Sequence, residues 1–84
     1  MKREVRFTDE ADQQLAAIWM AASDRDDVTA AANRIEATLK RDPLGAAEAR
    51  GEGDRILFNA PLVVFYRLDP ISGDVWVVSM DRTK

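Results

Sequence analysis

The chain has 84 residues, 12 Lys and Arg against 15 Asp and Glu, a formal charge of −3, 46% hydrophobic and 32% charged content, and neither cysteine nor histidine. This is the composition of a folded domain rather than a disordered tail, and its length predicts one domain, residues 1–84, burying only about 60% of its unfolded surface. The missing cysteines exclude disulfides and thiolate metal sites, the missing histidines exclude Ser-His and Cys-His nucleophiles, and the acidic balance argues against broad attraction to phosphate.

The start, Met1-Lys-Arg-Glu-Val-Arg-Phe, is charged but is not followed by the apolar core of a signal peptide. The longest uncharged apolar run, Leu15 to Ala22, is too short to span a bilayer. A soluble, cytoplasmic protein without a membrane partner is therefore expected.

Glu4-Val-Arg-Phe alternates as a short half-buried strand does, with Val5 and Phe7 inward. Thr8 offers a capping hydroxyl, and Asp9, Glu10 and Asp12 place negative charge where a helix dipole favours it, which predicts a helix from about Asp9 to Ser23. Ala11, Leu15, Ile18, Trp19 and Ala22 share one face of that helix. Asp24-Arg-Asp-Asp27 interrupts the pattern, and Asp26 or Asp27 is expected to cap a second helix beginning near Val28, with Val28, Ala32, Ile35 and Leu39 inward. Glu36 stands four residues before Lys40, Lys40-Arg41 complements the C-terminal dipole, and Asp42-Pro43 stops the helix. The short link predicts an antiparallel helical hairpin.

Residues 42–54, with Pro43, Gly45, Gly51 and Gly53 among charged residues, read as a mobile loop. Beyond it Ile56 and Phe58 alternate with Arg55 and Leu57, and Asn59-Ala-Pro61 supplies a turn. Leu62 to Leu68 is apolar on both faces apart from Arg67, as fits a central strand with helices on one side. Asp69 to Asp74 makes the next turn, and Val75 to Met80 is the last strand. The order β-α-α-β-β-β, a helical hairpin on an antiparallel sheet, is a two-layer α+β domain. Trp19 and Phe65 are expected near the centre of its core, where truncation of Trp19 to Ala would cost about 3–5 kcal/mol; Met20 and Met80 read as core or edge filler.

Phe7-Thr8, Glu10-Ala11, the pair Ile18-Trp19, Asp42-Pro43, Gly45 and above all Val64-Phe65-Tyr66-Arg67-Leu68-Asp69, in this order, resemble the RelE/ParE superfamily of bacterial toxins from type II toxin-antitoxin modules. The likeness runs over nearly the whole chain, and its specificity lies in order and spacing. Ile18-Trp19 with Phe65-Tyr66-Arg67 is more similar to the ParE branch, the plasmid stabilisation proteins, than to the RelE branch. The resemblance implies a toxin silenced by a cognate antitoxin, as a homodimer or a hetero-oligomer with it, the antitoxin adding a strand at the sheet edge or laying a helix beside the hairpin. It implies DNA gyrase as the target in the ParE branch, and the ribosome, with messenger RNA cleavage, in the RelE branch. RelE-like nucleases carry an arginine where this chain has Val63 and a Lys-rich segment where it has Glu48, Glu52 and Asp54. Met80-Asp81-Arg82 keeps the final arginine of both branches but not the histidine often found before it. These departures favour binding over cleavage, and a non-toxic member that still pairs with its antitoxin is the further alternative.

Arg55, Arg67 and Arg82 are candidates for a basic cluster that clamps an anionic partner, with solvated strand-edge charges as the bland alternative. Trp76, opposite in face to Val75 and Val77, is a candidate partner contact or a ring packed under the loop. Tyr66 shares a face with Leu62, Val64 and Leu68, which makes it core with its hydroxyl at the rim; a stacking or proton-transfer role is the other reading. Helix capping accounts for Asp9-Glu10 and Asp26-Asp27, so no metal, no cofactor and no confident catalytic residue is expected.

Overall fold

A computed structural model of the chain describes residues 4–43, 48–50 and 54–83. Its elements run β1 (Val5–Phe7), α1 (Asp9–Ala21), α2 (Arg25–Arg41), β2 (Glu48–Arg50), β3 (Asp54–Asn59), β4 (Leu62–Leu68) and β5 (Val75–Arg82). The strands form one five-stranded sheet in the order β1-β5-β4-β3-β2, with β1 parallel to β5 and the other neighbours antiparallel. This is the expected two-layer α+β architecture with one short strand added. Within residues 42–54, read above as a loop, Glu48–Arg50 pairs with β3 and so uses backbone groups that the edge would otherwise leave unmatched. Gly45, Gly51, Gly53 and Glu52 lie outside the described residues.

Helix α1 starts as its capping chemistry predicts. The Thr8 hydroxyl accepts from the Ala11 N–H at 3.1 Å and donates to the Val78 carbonyl at 3.0 Å, which fastens the helix start to β5. Helix α2 begins three residues before the predicted Val28, because Arg25, Asp26 and Asp27 already take helical conformation and Asp24 occupies the cap position. Arg25 serves the preceding helix: its guanidinium donates to the Trp19 carbonyl at 3.0 Å and the Met20 carbonyl at 2.9 Å, pairing carbonyls at an α1 end that has no basic residue of its own. The Glu36–Lys40 pair forms at 3.7 Å.

Strand β4 is central, and directly paired residues of neighbouring strands share a face. Arg55, Leu57 and Asn59 are level with Tyr66, Val64 and Leu62, and these with Val77, Met80 and Arg82. The inner row Leu57, Leu62, Val64, Tyr66, Val75, Val77 and Met80 packs with Ala11, Val28, Ala31, Ile35 and Leu39 of the helices to form the core. Each fully buried Val, Leu or Ile contributes on the order of 1.5–3 kcal/mol.

The centre of the core differs from expectation. Trp19 is 41% and Phe65 37% exposed, whereas Tyr66, Ile35, Leu39 and Leu62 are sealed. Phe65 lies opposite Ile56 and Ser79, on the face that the helices leave uncovered. Trp19 stands at the outer groove of the hairpin, its indole N–H donating to the Thr29 hydroxyl at 3.1 Å and the Arg25 guanidinium lying 4.6 Å from the ring centre. Truncating it removes a half-exposed ring, and the cost falls below the range for a buried one. Met80 is in the core, but Met20 is exposed and fills nothing.

Candidate functional site

The helices cover one face of the sheet, so the chemistry open to a partner is concentrated on the other. Its members follow from register. Asp54, Ile56 and Phe58 on β3 are level with Arg67, Phe65 and Val63 on β4, and those in turn with Trp76, Ser79 and Asp81 on β5. On the far side Arg6 of β1 is level with Trp76.

A row of apolar side chains therefore crosses the middle of this face. Ile56 and Val63 are buried among their neighbours, while Phe58, at 58% exposed, Phe65 and Trp76, at 38%, present rings to solvent. Exposed aromatic rings gathered on one face of a small protein are candidates for partner contacts. A register shift between Phe65 and Tyr66 leaves Val78 as an extra residue on β5. The backbone there is served from α1: besides Thr8 at the Val78 carbonyl, the Gln14 side-chain carbonyl accepts from the Met80 N–H at 2.7 Å. Phe65, Val78 and Ser79, with Asp54, Ile56, Tyr66 and Arg67, line a groove of about 650 Å³.

Charge flanks the apolar row as matched pairs. Arg67 is bonded to Asp54 directly across the β3–β4 pair, and this guanidinium holds the Asp54 carboxyl below its usual range. At the other side Arg6 Nε meets Asp74 Oδ2 at 3.2 Å and lies 5.9 Å from the centre of the Trp76 ring. The Asp74 carboxyl is depressed first by the Glu4 N–H and then by Arg6.

The register does not gather the predicted arginines. Arg67 stands one residue before the end of β4, whereas Arg82 pairs with Leu62 at its start, five residues and roughly 17 Å away at ~3.3 Å per residue. Arg82 instead donates to Asp24 at the head of α2, at 2.6 Å. Arg55 is level with Tyr66 on the inner face and, among the described residues, is alone of the three in carrying no ion pair. Trp76 is half-exposed on the open face as its alternation predicted, with the Arg6 guanidinium 5.9 Å from its ring centre, while most of the loop under which it was otherwise expected to pack lies outside the described residues.

Tyr66 is fully buried, and its hydroxyl donates to the Pro43 carbonyl, pinning the stop of α2 to the central strand. Burial raises its pKa above the usual phenol value. A sealed, bonded hydroxyl of this kind does not reach an outside substrate. Among the described residues no group of three or more carboxylates converges as a metal site requires, and no helix is long and apolar enough to cross a membrane.

Sequence reasoning missed Ile56, Phe58, Phe65 and Val78 as members of one surface. The signal was present in Leu62–Leu68, whose apolar residues on both faces supply a core row and a second row on the face away from the helices.

No protein-family model and no curated protein sequence matches the chain. Solved structures do. A RelBE toxin–antitoxin complex from Mycobacterium tuberculosis matches with a TM-score of 0.77 at 24% identity, over 98% of this chain and 99% of the other. The chromosomal ParDE toxin–antitoxin system of P. aeruginosa matches with 0.74 at 16% identity, over 99% and 98%. The isolated E. coli RelE toxin matches with 0.66 at 14% identity, over 98% and 85%. The fold of this chain is thus the fold of the RelE/ParE toxins.

Proposed function

We propose that the chain is the one-domain toxin of a type II toxin–antitoxin module, neutralised by an antitoxin that covers the open face of its sheet and acting, when free, by binding a cellular protein. The observation that carries this reading is the uncovered row of Phe58, Phe65 and Trp76, in a fold shared with a toxin of the RelBE complex and with the ParDE system. An apolar centre with internally matched charges suits a protein segment. The cytoplasm is the proposed compartment. The sheet edge and the hairpin groove considered above are secondary contacts, since three exposed rings, Phe58, Phe65 and Trp76, lie on the open face and one, Trp19, in the groove.

The ParE-like branch is the reading supported by the residues around the sheet. Val63 supplies no cation, Tyr66 is sealed, and Arg67 and Arg82 are each held by an aspartate. The arginines that could steady a phosphorane on this face, Arg6 and Arg67, are each paired with an aspartate, which counts against cleavage. A protein target of the gyrase type, as the ParE resemblance implies, fits better than messenger RNA cleavage.

Induction of the chain alone in a bacterial host tests this. Growth is expected to stop, to resume when the protein of the neighbouring gene is co-expressed, and to stop without new codon-linked transcript ends. Such ends would assign the chain to the endoribonucleases, and uninterrupted growth would make it a non-toxic member that only pairs with its antitoxin.

A further inference from the structure

Among its described side chains the open face carries two arginines, Arg6 and Arg67, the residue type best suited to grip a phosphate, yet it offers little net positive charge. Arg67 is cancelled by Asp54 directly across the strand pair, and Arg6 by Asp74 at 3.2 Å. A third carboxylate, that of Asp81, lies on the same face level with Val63. Among the described side chains of this face, two positive charges thus meet three negative ones, for a local sum of −1; β2 brings Glu48 and Arg50, one charge of each sign, level with Ile56 and Asp54. Neither Asp54 nor Asp74 belongs to the apolar core. Asp74 also accepts from the Glu4 N–H through Oδ1, and the Asp81 Oδ1 accepts from the Arg82 N–H, roles that an amide oxygen can fill.

We infer that Asp54, Asp74 and Asp81 are specificity residues: they neutralise the arginines of the open face so that it accepts an apolar protein segment and rejects the phosphate backbone of RNA. This rests on the proposed protein-binding role of that face. The physical basis is that sequence-independent affinity for nucleic acid comes from cations that displace counterions, and a cation already paired displaces none. Discrimination then lies in the repulsive element as much as in the attractive one. Without the three carboxylates the same surface would present exposed aromatic rings beside two free guanidinium groups, the combination that holds single strands by stacking and charge. Asparagine preserves the size and the acceptor oxygen of each aspartate, so the change isolates charge.

Fluorescence anisotropy with a fluorescein-labelled single-stranded RNA, at low and moderate salt, tests the inference on the whole chain. The parent protein is expected to show no saturable binding. The variant Asp54→Asn/Asp74→Asn/Asp81→Asn is expected to bind saturably, with a Kd at least about ten-fold below the highest protein concentration at which the parent stays unbound, and with log K falling against log salt at a slope of about −1.4, the value for two freed phosphate contacts on a single strand. Adding Arg6→Gln and Arg67→Gln should abolish the gain. A triple variant that keeps the circular dichroism spectrum and thermal midpoint of the parent, yet binds RNA no better, overturns the inference and leaves the proposed function standing. Tight RNA binding by the parent would instead overturn both. If the triple variant fails to fold, Asp54→Asn alone, expected to show a smaller gain and about half the slope, decides in the same way.

Discussion

At the residue scale, the aspartates of this chain do most of their work through hydrogen bonds to a few identifiable donors. Asp24 and Asp54 are held below the ordinary carboxylate value of 3.8 chiefly by Arg82 and Arg67. Asp69 is depressed by the N–H groups of Ile71 and Ser72, which it accepts at 2.8 and 3.3 Å in the turn before β5. In that turn Gly73 takes φ of 79°, where a side chain would be strained. A carboxyl whose folded pKa is depressed contributes stability above its unfolded pKa and loses it as pH falls through the folded value. The chain has no histidine, the side chain whose ordinary pKa lies near neutrality. Urea denaturation midpoints are therefore expected to stay level from about pH 8 to 5 and to fall below about pH 4 as these carboxyls protonate. A step near neutral pH would contradict this assignment.

At the scale of elements, the hairpin β3–β4 shows how a strand pair separates core from contact surface. Leu62 and Phe58 are close in sequence but lie on opposite faces, the first fully buried and the second mostly exposed. Leu62→Ala is expected to destabilise the fold by about 2–5 kcal/mol, and Phe58→Ala by no more than about 1 kcal/mol while weakening partner binding. Urea melts of the two variants, with titration of the neighbouring-gene protein, check both halves. Element order, the capping of α1 by Thr8, the Glu36–Lys40 pair and the central place of β4 were legible in the sequence because each rests on local spacing or local chemistry. The exposure of Trp19 and Phe65 was not, because it depends on which face of each element meets the other layer. The arginine cluster failed for a related reason: antiparallel β4 and β5 put their C-terminal ends at opposite sides of the sheet, a fact of pairing rather than of composition. Of the surface itself only Arg67 and Trp76 were identified, the latter by its alternation with Val75 and Val77.

At the scale of the molecule, one layer of helices closes one face of a five-stranded sheet and leaves the other with an apolar row framed by matched charges. So small a domain has little stability to spare. An uncovered row of rings is a liability for it unless a partner covers the row. The two tryptophans report separately on the two layers, Trp19 from the helical hairpin and Trp76 from the open face. In a Trp19→Phe variant, emission from Trp76 alone, recorded while the protein of the neighbouring gene is titrated in, tests the assignment of the docking surface most directly. A saturable blue shift, lost on Phe65→Asp, is the predicted result. Complex formation shown by co-elution, with Trp76 emission unchanged, would contradict it.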